Sequence, residues 1–181
     1  MPHIDLGNEL PGIVSLFAYR PRTAGPLGEL AEILLRGPSS LSRGERELIA
    51  ARVSERNGCR FCSDSHAAFA AAQLEGGGGL VDQVRADPAT APVTPKLRAL
   101  LHLADAVQES GSPVTGERIE AAREVGATDT EIHDTVLIAA AFCMYNRYVD
   151  ALGTLTPQDP AAYAEMAGFI TAHGYTAAAP V

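Results

Sequence analysis

Two cysteines and a histidine lie close together in the segment NGCRFCSDSH, residues 57–66. Cys59 and Cys62 are three residues apart, and His66 follows four residues after Cys62. The Asn-Gly that opens the segment is typical of a helix end, so the spacing predicts that both thiols lie at the start of the next helix. The positive end of a helix favours thiolate, and a residue at i+4 lies on the same face. The group is suited to thiolate attack and disulfide closure, with His66 as a candidate base for Cys62.

A carboxylate on the preceding predicted helix is the next candidate. Glu47 lies on the helix face that leads to Gly58, and a carboxylate there can hold His66 or a water molecule in the required protonation state. Eleven residues of straight helix, however, span about 16 Å. Glu47 therefore reaches the thiols only if the helices cross steeply, the first helix ends early, or another subunit contributes. An acid near a helix start also complements the helix dipole without any catalytic role.

The thiols also have less specific interpretations. They can be idle cysteines or half of a zinc site, but zinc needs a fourth ligand beyond Cys59, Cys62 and His66, and no second Cys/His pair has ligand spacing. Cys143 lies in an apolar run and is predicted to be a small buried side chain. Redox chemistry is therefore favoured, and neither a metal nor a cofactor is predicted.

Composition and charge exclude several classes of protein. The chain has 181 residues and a net charge of -8, from 22 acidic and 14 basic residues, which argues against a nucleic-acid-binding protein. Residues 136–144 form the longest apolar run and are too few to span a bilayer, so no membrane partner is predicted. The N-terminus has no signal-peptide pattern, and three cysteines form no disulfide framework. These features predict a cytoplasmic protein in a reducing compartment.

The hydrophobic periodicity predicts an all-α protein, because no stretch alternates convincingly with period two. Residues 1–26 contain four prolines and are predicted to form an extended arm, apart from one or two helical turns at 13–19. Residues 27–175 are predicted to form the all-α domain. Its predicted helices cover approximately 27–36, 42–57, 60–74, 80–85, 95–107, 115–125, 128–152 and 159–172.

The two halves of the domain show one internal similarity. A shift of 84 residues superimposes the four candidate residues on a second polar set, which is Glu131, Cys143, Asn146 and Asp150. In both halves a capped helix leads to a polar cluster and then to a glycine. This is compatible with an old duplication in which only the first copy kept its chemistry, although helical periodicity alone produces much of the match.

The residues around the thiols resemble the AhpD-like alkylhydroperoxidases of the carboxymuconolactone decarboxylase superfamily. The resemblance is carried by LSRGERELIA at 41–50, followed by the Cys-x-x-Cys-x-x-x-His segment at 57–66. The later stretch AFCMYNRYVDALG, residues 141–153, is similar to the peroxidase-related branch of that superfamily. The decarboxylase branch lacks the Cys-x-x-Cys pair, so lactone decarboxylation is not expected here.

The resemblance implies an AhpD-like multihelical bundle that forms trimers or hexamers and carries a thiol peroxidase site without a cofactor. In that site Cys62 would attack the peroxide, Cys59 would resolve the product, and Glu47 and His66 would relay protons through water. The expected partners are a small hydroperoxide and a dithiol or protein reductant. Phe61 stands between the cysteines where the best-known members have a histidine, and this makes the site more apolar.

The sequence thus leads to one main hypothesis and one rival. The main hypothesis is a thiol-dependent alkyl hydroperoxide reductase. The rival is a redox-responsive oligomeric sensor or binding protein whose disulfide changes its shape without turnover. A structural metal module is a third interpretation, which elemental analysis of the purified protein would test.

Overall fold

A computed structural model describes residues 1–109 and 114–178 of the chain. The all-α prediction is confirmed: the described residues hold nine α-helices, one short 3₁₀ helix at Thr176–Ala178, and no strand beyond an isolated bridge. The α-helices are α1 Gly12–Tyr19, α2 Pro21–Arg36, α3 Arg43–Arg56, α4 Arg60–Ala71, α5 Gly77–Ala86, α6 Pro95–Gln108, α7 Gly116–Glu124, α8 Asp129–Ala151 and α9 Pro160–His173.

Helix α3 is the buried centre of the fold. Every residue from 46 to 54 is buried, because α4, α6 and α8 pack around the helix. Ser42 caps its start and forms a capping box with Glu45, as the sequence predicts. The central position of α3 explains why both polar and apolar side chains on it are buried, and it places Glu47 inside the protein rather than at a surface.

The N-terminal segment differs from the predicted extended arm. Within residues 1–26, α1 and the first six residues of α2 are helical. Pro21 occupies the first helical position, where its missing N–H costs nothing. Pro26 lies inside α2, yet the helix continues because Ala24 and Leu27 pack with Phe17 of α1. Apolar packing between the two helices therefore outweighs the proline signal.

The residues before α1 are also held by their own chain. The His3 N–H donates to the Leu152 carbonyl at 2.9 Å, and the Gly12 N–H donates to the Leu155 carbonyl at 2.9 Å. The Leu6 side chain is buried among residues of α1, α4 and α9. The segment packs along the end of α8 and the loop that follows it, so it does not need a neighbouring subunit to cover it.

The possible duplication is not reflected in the fold. Glu47 and His66 belong to two helices joined by a turn, whereas their counterparts Glu131 and Asp150 belong to the single helix α8. Gly58, which makes the turn with φ +73°, corresponds to Phe142 in the middle of α8. The 84-residue match therefore arises from helical periodicity rather than from two related halves.

None of the described helices combines the length and the apolar character that a membrane crossing requires.

Candidate active site

The turn between α3 and α4 places the two cysteines. The Cys59 N–H donates to the Ser54 carbonyl at 3.0 Å and the Gly58 N–H donates to the Glu55 carbonyl at 3.0 Å, which together form a Schellman motif. Cys59 is at the same time the N-cap residue of α4. Cys62 consequently lies in the first turn of α4, where backbone N–H groups have no intrahelical acceptor. The predicted position of both thiols at a helix start is confirmed.

The two thiols have different environments. Cys59 is 0% exposed, whereas Cys62 is 4% exposed, and both are free cysteines. A hydrogen bond to the Cys62 sulfur, burial and negative charge on Cys62 raise the pKa of Cys59, and Asp150 adds to the effect. A negative charge on Cys62 therefore favours the protonated form of Cys59.

Glu47 and His66 meet across the α3–α4 hairpin. The His66 Nδ1 atom lies 2.7 Å from Oε2 of Glu47, and both side chains are buried. The distance problem noted for Glu47 is resolved by the antiparallel packing of the helices. Because α4 runs back along α3, a residue well before the turn faces one well after it, and Glu47 contacts His66 rather than the thiols.

A tyrosine near the C-terminal end of the described chain completes this cluster. The Tyr175 hydroxyl donates to Oε1 of Glu47 at 2.6 Å and lies 3.4 Å from Nδ1 of His66. Its ring stacks on the His66 ring with an interplanar angle of 17°. Burial, together with the charge and hydrogen bond of Glu47, raises the pKa of Tyr175 well above its usual range, so its hydroxyl remains a donor.

Cys62 and His66 share a small cavity of about 60 Å³. Its remaining wall is mostly apolar and aromatic, with Tyr145 and Tyr175 as the polar exceptions. The Tyr145 hydroxyl is already used, since it donates to the Leu27 carbonyl at 2.9 Å, and burial raises the pKa of Tyr145 to about 12. Cys59 does not line this cavity. Cys62 is therefore the thiol that a small molecule in the cavity would meet.

A larger cavity of about 610 Å³ adjoins the small one. His66, Phe61 and Tyr175 line both cavities, so the imidazole lies where the two meet. Most of the larger wall is apolar and comes from α1, α4 and α9. Glu165 is the one carboxylate among the described residues that line it, and its side chain is exposed. A cavity of this size and character suits the apolar part of a small organic molecule.

The third cysteine of the chain lies away from the two cavities. Cys143 is half-buried and its sulfur lies 3.6 Å from the Asn57 side-chain nitrogen. Arg147 donates to the Cys143 carbonyl at 2.9 Å. Across residues 1–109 and 114–178, no group of three or more His, Cys, Asp and Glu side chains converges as metal ligands would.

The family comparison agrees with this arrangement. Residues 21–106, which contain Glu47, both thiols of the turn and His66, match the carboxymuconolactone decarboxylase family.

Two solved structures of peroxidase-related proteins are similar to this chain. An uncharacterized peroxidase-related protein from Ralstonia eutropha JMP134, described as an alkylhydroperoxidase AhpD core, is 28% identical with a TM-score of 0.77, over 87% of this chain and 81% of that one. An uncharacterized peroxidase-related protein from Silicibacter sp. TM1040 is 25% identical with a TM-score of 0.76, over 85% of this chain and 78% of that one. No curated protein matches this chain.

Sequence reasoning missed Tyr175, because this residue lies beyond the last predicted helix, which ends at residue 172. Gly174 has φ +80° and ends α9, and a glycine after a helix does indicate a turn. Nothing in the local sequence shows where that turn sends the chain. The Tyr175 N–H donates to Oε2 of Glu32 on α2 at 2.7 Å, a contact between residues far apart in the chain.

Proposed function

We propose that the protein is a thiol-dependent reductase of organic hydroperoxides. The observation that carries the proposal is the small cavity shared by Cys62 and His66, in which the thiol and the imidazole line the same space. The peroxidase-related structural neighbours support the same class of reaction.

The first step forms one S–O bond and breaks the O–O bond of the peroxide. The Cys62 thiolate attacks the terminal peroxide oxygen, Cys62 becomes a sulfenic acid, and the peroxide is reduced to an alcohol. The proton that Cys62 gave up passes through His66 to the leaving alkoxide. Glu47 binds Nδ1 of His66, which leaves Nε2 as the nitrogen that exchanges the proton. Within the described residues, Nε2 has no hydrogen-bond partner of its own.

The second step uses the buried neighbour. Cys59 attacks the Cys62 sulfenic acid, the S–S bond forms, and the S–O bond breaks with release of water that carries the Cys59 proton. The raised pKa of Cys59 keeps it a thiol while Cys62 is charged, so Cys59 does not compete for the peroxide. A dithiol or protein reductant then returns both cysteines to the thiol state.

The shape of the two cavities supports an organic rather than an inorganic peroxide. A hydroperoxide group fits the space of about 60 Å³ at Cys62, and the apolar remainder fits the adjoining space of about 610 Å³. Burial of the apolar part contributes roughly 25 cal/mol per Å² to binding. Hydrogen peroxide has no apolar part and gains nothing from this burial.

Steady turnover of cumene hydroperoxide with dithiothreitol as the regenerating reductant tests the proposal. We expect wild type to consume many equivalents, Cys62→Ser to consume none above background, and His66→Ala to lose about a hundredfold in the first step. Cys143→Ser is the matched control, because Cys143 lines neither cavity, and it should keep the wild-type rate.

The same assay separates this proposal from the sensor hypothesis. Consumption of a single equivalent by wild type, followed by a stable disulfide that the dithiol does not return to turnover, would overturn the reductase and favour the sensor. Equal loss of activity in Cys143→Ser and Cys62→Ser would contradict the assigned site.

A further inference from the structure

Tyr175 is held against the site by contacts at both ends of the residue. Its backbone N–H donates to Glu32 at 2.7 Å, and Glu32 is in turn paired with Arg36 at 3.2 Å. Gly174 makes the preceding turn with φ +80°, and a Cβ there would lie 2.5 Å from a Glu32 carboxylate oxygen. The chain after α9 is therefore fixed on α2, and the ring is directed into the cluster of Glu47 and His66.

The hydroxyl of Tyr175 completes the hydrogen bonding of a carboxylate that has no access to water. Glu47 is 0% exposed, and its two oxygens have separate partners: Oε1 accepts from Tyr175 and Oε2 lies against Nδ1 of His66. A buried carboxylate with one oxygen unpaired is destabilised and free to rotate. The two bonds together fix the orientation of the carboxylate.

The aromatic groups around His66 leave its ring little freedom. Phe142 contacts the ring edge to face at 4.5 Å between centroids and Phe69 does so at 5.2 Å, while Tyr175 stacks at 6.1 Å. Ring position is thus set by packing, and the tautomer is set by the group that faces Nδ1. That group is Glu47, whose orientation depends on Tyr175.

We propose that Tyr175 is a positioning residue that holds Glu47 in the orientation required to keep His66 protonated on Nδ1, so that Nε2 receives the proton of Cys62. The inference rests on the proposed reductase function for its catalytic consequence, but the tautomer of His66 is a property of the resting protein. It can be measured whether or not the protein turns over a peroxide.

Removal of the Tyr175 hydroxyl affects His66 through Glu47. Without the hydroxyl, Oε1 of Glu47 loses its hydrogen-bond donor, and the carboxylate is free to rotate away from Nδ1 of His66. We therefore expect His66 to lose its single tautomer when the hydroxyl is removed.

The test compares Tyr175→Phe with Tyr163→Phe as the matched control. Tyr163 also lies beside the thiols, but its hydroxyl donates to the Pro157 carbonyl and contacts neither Glu47 nor His66. We expect Tyr175→Phe to lower the rate of Cys62 oxidation about tenfold. The control should keep the wild-type rate.

Nitrogen-15 NMR of the imidazole gives the second readout, with the His66 signal identified by its loss in His66→Gln. Wild type should show the Nδ1-protonated tautomer, and Tyr175→Phe should show a mixture of tautomers. If Tyr175→Phe does not fold, Glu32→Gln loosens the backbone anchor of Tyr175 and should produce a smaller shift in the same direction. A wild-type tautomer in the folded variant would overturn the inference. If Tyr175→Phe alters the tautomer of His66 but wild type does not turn over the peroxide, the proposed reductase function is contradicted and the inference about Tyr175 stands.

Discussion

Cys59 serves two helices at once, since it closes the Schellman turn after α3 and is the N-cap of α4. This double position buries its sulfur completely and leaves only Cys62 beside the cavity. The two cysteines therefore differ in their access to the cavity because they lie three positions apart on the same turn. The proposed order, with Cys62 attacking and Cys59 resolving, is the reverse of the thioredoxin order, in which the first cysteine attacks.

The position of the two thiols predicts which disulfide forms in the oxidised protein. One equivalent of hydroperoxide should produce a Cys59–Cys62 disulfide, because both residues lie at the start of α4 and a hydrogen bond joins their sulfurs. Peptide mass mapping should find that link with Cys143 free.

A matched pair of variants identifies the attacking thiol. Cys59→Ser should accumulate a sulfenic acid on Cys62 that dimedone traps, whereas Cys62→Ser should give no adduct. A dimedone adduct on Cys59 in the Cys62→Ser protein would reverse the two roles, and a dominant bridge to Cys143 would exclude both.

Phe61 shows how one residue between the cysteines shapes the site. Its ring lines both cavities and lies so close to Gly12 of α1 that a Cβ on Gly12 would be 2.0 Å from it. The glycine therefore allows α1 to approach α4 and to supply apolar walls to both cavities. Where the resembling alkylhydroperoxidases have a histidine, this chain has a ring that adds apolar surface instead of a polar group.

At the scale of elements, the α3–α4 hairpin brings the site together. Its turn requires Gly58 at φ +73°, a backbone conformation that costs other residues energy. The turn that requires this backbone conformation also positions both cysteines, so the stability of the turn and the geometry of the thiols are linked.

Gly58→Ala should lower the free energy of unfolding by about 1 kcal/mol, because alanine is strained at positive φ and no neighbouring atom would contact its Cβ. Gly79→Ala is the matched control: Gly79 also has open space around it but lies in α5 with an ordinary φ. That change should raise the free energy of unfolding by roughly 0.5–1 kcal/mol. Urea denaturation measures both, and equal changes in the two variants would contradict the strain argument.

At the scale of the whole molecule, Glu131 connects three distant parts of the chain. It is 1% exposed and accepts hydrogen bonds from Lys96 of α6 at 2.7 Å, from Ser40 before α3 at 2.9 Å, and from the Thr128 N–H at the start of α8 at 2.8 Å. Burial alone would raise its pKa, but these bonds outweigh burial and lower the pKa of Glu131 to about 2.

This shift predicts how stability depends on pH. Because the folded pKa lies below the unfolded one, the contribution is complete above about pH 5 and is lost as the pH falls towards 2. It amounts to roughly 3 kcal/mol. Glu131→Gln should lower stability at pH 7 and flatten its decline in acid, whereas Glu117→Gln, at an exposed position, should leave both unchanged. Urea midpoints from pH 7 to pH 2.5 would refute the prediction if wild type and Glu131→Gln declined in parallel.

Assembly into a homo-oligomer stays a prediction. The N-terminal residues contact their own chain, so the argument from an unpacked arm no longer supports it. The resemblance to alkylhydroperoxidases and the exposed side chains of Leu137 and Met144, one above the other on α8, remain in its favour. Light scattering that gave the 19.0 kDa mass of one chain at all concentrations would contradict it.

Local patterns in the amino-acid sequence account for the features that depend on neighbours within a turn or two of helix. The all-α class, the capping box at Ser42, the Gly58 turn, and the position of both thiols at the start of α4 all belong to this group. Each arises from hydrogen bonds and backbone preferences among residues a few positions apart, which the order of amino acids shows directly.

The contacts between side chains in the candidate site depend on the tertiary structure. Glu47 and His66 are 19 residues apart, and Tyr175 is 128 residues from Glu47, so their contacts depend on how α2, α3, α4 and the chain after α9 pack. The helical start of the supposed arm has the same cause, since packing against α1 outweighed the proline at position 26. Contacts of this kind come from the burial of whole helix faces, which local patterns do not encode.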